Sequence, residues 1–167
     1  MRLHELTSAE QLAALDEGRI DAGFLRAVPS APALHHAVLE HEPLLAALPG
    51  GHPLCAREAV SVADLAREPW VLFPRAEGPP FFDRVLVLCR AASFEPRVEQ
   101  EATYMPTIVN LVAAGLGVSL VPGSLTAPPG AELRPVIDAE AHVPLVLAWG
   151  GEGPALRRFL RLAGVAP

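Results

Sequence analysis

The stretch that most narrows what this chain can fold into is Thr103–Pro122, TYMPTIVNLVAAGLGVSLVP. Ile108, Leu111, Val112 and Gly115 fall at the i, i+3, i+4, i+7 spacing of one helix face. Thr103 is placed to cap that helix through its hydroxyl, and Pro106 falls in the first turn, where a missing N–H costs little. Gly115 or Gly117 can take the left-handed conformation that ends a helix. Val118–Val121 then reads as a short apolar strand closed by Pro122. A helix, a two-glycine turn and an apolar strand make the second half of a βαβ unit, so this region belongs to a layered α/β structure.

The remaining segments extend that pattern. Leu3–Leu6 is strand-like, and Ser8-Ala9-Glu10-Gln11 fits a capping box opening a helix of about ten residues, with Gly18 at its far end. The apolar run 20–25 predicts a strand buried on both faces by helices. Strands are predicted at 34–41 and 44–48, separated by Pro43, and a turn at 49–53. A short helix around Val62–Arg67 leads to a strand at 70–73. Gly78-Pro79-Pro80 then opens a helix whose Phe81, Phe82, Val85, Leu86 and Cys89 share one side. A weak strand at 96–101, strands at 133–137 and 142–149, and a terminal helix from Pro154 complete the order. The alternation argues for α/β architecture with mainly parallel sheets, in two lobes connected by two chain passes. Helix starts at Ser8, Pro79 and Thr103 would then lie at carboxyl ends of strands, which makes a cleft between the lobes the default binding site.

Composition removes several classes of function. No apolar run approaches the roughly eighteen residues a membrane helix needs, and the start lacks a charged and apolar export leader, so the expectation is a soluble cytoplasmic protein. Net charge is -6, and the 13 basic residues, all arginine, are thinly spread apart from Arg157, Arg158 and Arg161, which is no footprint for nucleic acid. Cys55 and Cys89 lack metal-ligand or redox spacing and are expected as free thiols. His35-His36 and His41-Glu42 have no convergent ligands, and Gly115-Leu116-Gly117 follows a helix where a dinucleotide fingerprint must follow a strand. No acid/base constellation, metal site or cofactor site is expected, and hence no enzyme.

Four segments also carry a likeness. LDEGRIDAGFLR (15–26), EPLLAALPGGHPL (42–54), Val62-Ala63-Asp64-Leu65 with WVLFPR (70–75), and TIVNLVAAGLGVSLVP (107–122) stand in the order and spacing of one family. Together they resemble the effector-binding domain of LysR-type transcriptional regulators, nearest the branch that senses aromatic acids and their ring-cleavage products such as benzoate and muconate. The resemblance implies a two-lobed type 2 periplasmic-binding-protein-like fold with three-layer αβα lobes, lobe I from 1–46 and 144–167 and lobe II from 47–143. It implies that the cleft binds a small organic anion, aromatic or dicarboxylic, and that the full-length protein is a homo-oligomeric dimer or tetramer.

By position, the likeness assigns Ser8, with Thr7 beside it, to the effector carboxylate, with a helix cap alone as the plainer role of Ser8. Arg26 is placed to pair with an anion or to sit solvated. Pro80 and Phe81 match an apolar wall against the effector ring, and Thr103 and Met105 another, with a cap and a core side chain as their plainer roles. The family's first strand and helix, and its winged helix-turn-helix, have no counterpart here, so DNA would be reached only through a missing N-terminal domain. A fragment of a longer chain, a start set too far downstream, or a partner filling the gap would each account for this. The alternative function is a stand-alone small-molecule-binding protein on the same fold.

Overall fold

The computed structural model describes residues 2–29 and 31–165. They form two compact units, one made of residues up to His41 together with those from Pro144 onward, the other of Glu42–Val143. The first crossing lies slightly upstream of the 46/47 position expected from sequence.

In the first unit, helix α1 (Ser8–Asp16) is opened by a capping box that uses Thr7 and Glu10. The Thr7 hydroxyl accepts the Glu10 N–H at 3.2 Å, and Glu10 Oε2 accepts the Thr7 N–H at 2.7 Å. The box is therefore one residue upstream of the predicted Ser8 start. Glu10 is the side chain that can return the bond, and it lies three positions after Thr7, the spacing the motif requires. The helix ends as expected before Gly18, at φ 67°.

Strand β1 (Ala22–Leu25) runs antiparallel to β7 (His142–Trp149), with Leu25 opposite Val146. Leu15, Leu25, Leu34, Val146 and Ala148 form a core on the α1 side. Leu147 packs on the other side against Leu156 and Leu160 of α4 (Pro154–Leu162). The expectation that the first strand is covered on both faces is corrected: Phe24 is 49% exposed, its ring edge-to-face with Phe159 at 6.4 Å. The predicted strand at Leu3–Leu6 is also absent, and Leu3 is 86% exposed. Alternation alone cannot make a strand; a ladder partner must satisfy its backbone.

Strand β2 (His35–Pro49) is continuous through Pro43, where two strands were predicted, and it begins in the first unit and ends in the second. Pro43 lies one position beyond the ladder of Leu44–Ala47 with β5 (Ser119–Pro122): its carbonyl accepts the Gly123 N–H at 2.8 Å, and its missing N–H costs the strand at most the reciprocal bond of that terminal pair.

The second unit is built on a mixed sheet. β2 pairs antiparallel with both β5 and β6 (Ala131–Pro135), and β3 (Pro69–Leu72) pairs parallel with β4 (Arg97–Glu101). A parallel bridge from Trp70 to Val118 joins the two groups, giving the order β4-β3-β5-β2-β6. The expectation of mainly parallel sheets is thus corrected, because the long β2 returns against its neighbours. Side chains alternate faithfully across the sheet. Trp70 and Leu72 pack with Phe81, Val85, Leu88 and Cys89 of α2 (Pro79–Ala91). Val71 and Phe73 pack with Ile108, Val109 and Val112 of α3 (Met105–Ala113) on the opposite face. This is a three-layer αβα unit. On α2, Leu88 rather than the predicted Leu86 completes the buried face, one turn from Val85.

The predicted N-cap at Thr103 is not observed: α3 starts at Met105 after Tyr104, with no side-chain cap. A cap at Thr103 would place Pro106 at the third helical position, where the N–H that its hydroxyl needs does not exist. Gly117 is required by contact as well as conformation. Its φ is 150°, and a Cβ there would lie 2.5 Å from the Pro69 carbonyl oxygen, where the turn after α3 passes over β3.

Candidate functional site

In the second unit, β3 and β4 are adjacent and parallel, and the helices that follow them leave to opposite faces of the sheet. A crevice necessarily opens at the carboxyl ends of two such strands, and ligands of open α/β sheets bind there. Four of the residues singled out from sequence lie at this end. Pro80 is in the first turn of α2 and exposed; Thr103 and Met105 lie at the approach to α3 and are half-buried. Phe81 is 5% exposed and belongs to the core under α2, with Met105 packed against both cores. Neither helix has a side-chain N-cap; because Pro79, Pro80 and Pro106 carry no N–H, the first-turn donors are those of Phe81 in α2 and of Met105 and Thr107 in α3.

The connection from β3 to α2 is held by contacts that no sequence pattern announced. Phe73 packs where Gly78 has no side chain: a Cβ at Gly78 would meet its ring at 2.6 Å. Arg75 forks onto Asp83, with Nε at 2.7 Å from Oδ1 and Nη2 at 3.0 Å from Oδ2. That hydrogen-bonded pair holds the Asp83 carboxyl below, and the Arg75 guanidinium above, its ordinary pKa. One residue further along α2, Arg84 donates to the backbone carbonyls of Glu140 and His142. The partners of Arg84 lie 58 and 56 positions away, so no local spacing could have revealed them.

In the first unit, Thr7 is 6% exposed and caps α1, and Ser8 is the first helical residue, half-buried. The warrant of a capping hydroxyl therefore passes from Ser8 to Thr7. Gln11 of α1 lies over Gly23 of β1, where an added Cβ would meet its Oε1 at 2.6 Å. Thr7 is one turn before Gln11 and Arg26 is just beyond β1, which puts both at the same end of this helix–strand pair. Burial lowers the Arg26 pKa, and the charge of Glu40 opposes that shift. A neighbouring carboxylate competes with any anionic ligand for this guanidinium.

A separate groove of about 310 Å³ in the first unit is lined by His35, Trp149, Leu156, Arg157 and Leu160 and contains none of the predicted site residues. His35 stacks on Trp149 at 5.8 Å, and Arg157 is paired with Glu152 at 2.7 Å, which neutralises its rim. Among the described residues no group of three His, Cys, Asp or Glu side chains is arranged to hold a metal ion. Cys55 and Cys89 are free thiols; burial pushes the Cys89 pKa up to about 12, which suppresses its thiolate. No helix among the described residues is long and apolar enough to cross a membrane.

Residues 1–165 match the sequence profile of the LysR substrate binding domain. The transcriptional regulator YnfL of Escherichia coli is 38% identical over 164 residues, 95% of this chain and 55% of YnfL. CatR of Pseudomonas putida is 37% identical over 164 residues, 96% of this chain and 56% of CatR. The chain thus spans about half the length of these curated relatives. Among solved structures, full-length CbnR complexed with its target DNA matches with a TM-score of 0.84 at 28% identity, over 98% of this chain and 58% of CbnR. The effector-binding domain of BenM with its effector benzoate matches with a TM-score of 0.75 at 29% identity, over 99% of this chain and 81% of that one.

Proposed function

The chain belongs to the LysR substrate-binding domain family, whose members are transcriptional regulators rather than enzymes, and on that premise we propose that it senses a small organic anion, aromatic or dicarboxylic. The observation that carries this reading is the departure of α2 and α3 to opposite faces from the carboxyl ends of neighbouring parallel strands. It supplies a crevice, an apolar wall at Pro80, and the uncapped first turns of two helices, whose dipoles favour negative charge. The likeness to a BenM domain that carries benzoate supports an aromatic carboxylate as the first ligand class to test.

Thr103 and Met105 border the ring in this reading, with Phe81 as the packed floor beneath Pro80. In the first unit, Thr7 and Ser8 offer polar contacts for carboxylate oxygens at the start of α1, and Arg26 a guanidinium that feels the charge of Glu40. The two units serve as the two lobes of the sensor. Binding biases transcription only if the ligand prefers one of two arrangements, so the signal equals its differential affinity for them. DNA is contacted through a segment outside this chain, by a homo-oligomer in the cytoplasm.

Titration with benzoate and with muconate, followed by thermal unfolding, tests the proposal. A ligand at about one hundred times its Kd stabilises by about 2.7 kcal/mol, several degrees for a protein of this size. Thr103→Ala and Ser8→Ala are each expected to weaken the shift at fixed ligand concentration. No shift with either acid, or with a wider panel of aromatic and dicarboxylic acids at millimolar concentration, would overturn the reading.

A further inference from the structure

Asp83 and Arg84 are consecutive on α2, so their side chains leave the helix about 100° apart and reach different neighbours. Asp83 receives the Arg75 fork from the loop that leaves β3. Arg84 reaches the segment that ends the second unit: Nε donates to the His142 carbonyl at 3.1 Å, Nη2 to the Glu140 carbonyl, and the Glu140 carboxylate stands 3.3 Å away. The Arg84 side chain is only 27% exposed, less than half the exposure of Arg75.

The type of acceptor matters here. An arginine paired with an exposed carboxylate holds a mobile side chain and contributes little. An arginine that donates to two backbone carbonyls fixes the path of the chain itself through charge-assisted hydrogen bonds, here one part-buried, to His142, and one exposed, to Glu140. The segment it fixes is short and otherwise held by the body of the second unit. Leu44 N–H donates to the Ala141 carbonyl and Ala141 N–H to the Asp138 carbonyl, both at 2.8 Å, and Asp138 Oδ2 accepts the Val62 N–H at 2.8 Å. Immediately afterwards, between Val143 and Pro144, β7 passes into the first unit.

We infer that Arg84 is a positioning residue that makes the loop 74–78 and the chain at 140–142 move as one piece with α2. The second turn of α2 is the junction: Asp83 fastens it to the loop beside Pro80 and Phe81, and Arg84 fastens it to the start of β7. A disturbance at the loop is therefore transmitted to the outgoing strand through one guanidinium. The inference concerns the unliganded chain, so it stands or falls separately from the choice of ligand.

Hydrogen exchange on the 167-residue chain without added ligand tests it. Arg75→Ala is expected to speed exchange of the amides of Ala76, Glu77, Gly78, Phe81 and Phe82, and also those of Ala141 and His142, by about threefold to tenfold, in the lower part of the range of coupling energies between residues in one network. In an Arg84→Gln background, Arg75→Ala is expected to act on Ala76, Glu77, Gly78, Phe81 and Phe82 alone. Arg84→Lys provides the second background should the glutamine variant fail to fold. Lysine keeps the charge but not the planar fork, and it is expected to uncouple 141–142 in the same way. Wild-type exchange at 141–142 in Arg75→Ala would overturn the inference. So would an Arg75→Ala effect at 141–142 that survives in either Arg84 variant.

Discussion

Thr7 shows how much one position changes the meaning of a motif. Its hydroxyl and the Glu10 carboxylate satisfy each other's backbone N–H groups, and it is nearly sealed from solvent. Thr7→Ala is expected to destabilise the chain by about 0.5–2 kcal/mol in urea denaturation, whereas Ser8→Ala changes it far less. A second box, at Ser61 and Asp64, gives a pH signature. The Asp64 carboxyl is held below its ordinary pKa chiefly by the Ser61 N–H at 2.8 Å, then by the Ser61 hydroxyl, with Arg57 adding to this. A depressed folded-state pKa contributes stability that is complete above the unfolded value of about 3.9 and disappears as pH falls through the folded one. Asp64→Ala is therefore expected to be less stable than the parent at pH 6, with the gap narrowing below about pH 4. A gap that stays constant between pH 6 and pH 3 would contradict this origin.

At the scale of elements, the turn from α3 into β5 is the most constrained connection. Gly115 ends α3 at φ 81°, and Gly117 passes against Pro69 so closely that no side chain fits. Gly117→Ala combines a disfavoured φ with a clash against backbone and is expected to cost roughly 1–3 kcal/mol. Leu72→Ala, in the strand between α2 and α3, removes a side chain that is 2% exposed. Its expected cost is about 2–5 kcal/mol by chemical denaturation. This region was the most readable from sequence: apolar spacing placed α2, α3 and α4, proline placed the starts of α2 and α4, and glycine placed the end of α3. Thr103 was misread as a cap because the decisive fact was an N–H that Pro106 does not have. Leu3 and Leu6 were misread as a strand because a period of two says nothing about whether a partner strand is present.

At the scale of the whole molecule, the chain holds separate cores in its two units, with Leu147 and Leu160 in one and Leu72 and Leu120 in the other. Leu160→Ala is expected to speed amide exchange in β1 and β7 while the amides of β3 and β5 keep their protection; equal loss in both would indicate one cooperative unit. The two-unit organisation was visible in sequence through the order of elements and through the family likeness. Of the candidate site, Pro80, Phe81, Thr103 and Met105 were legible because they flank helix starts, and structure brings them to one end of one sheet. Local periodicity and the special backbones of glycine and proline are properties of neighbouring residues, so the sequence by itself determined the helices, most strands and their ends. Strand direction, the continuity of β2 through Pro43, the side of the sheet each helix covers, and the hold of Arg84 on carbonyls more than fifty residues away were decided only in the tertiary structure. These depend on which backbone groups meet across the fold, and no residue carries that information alone.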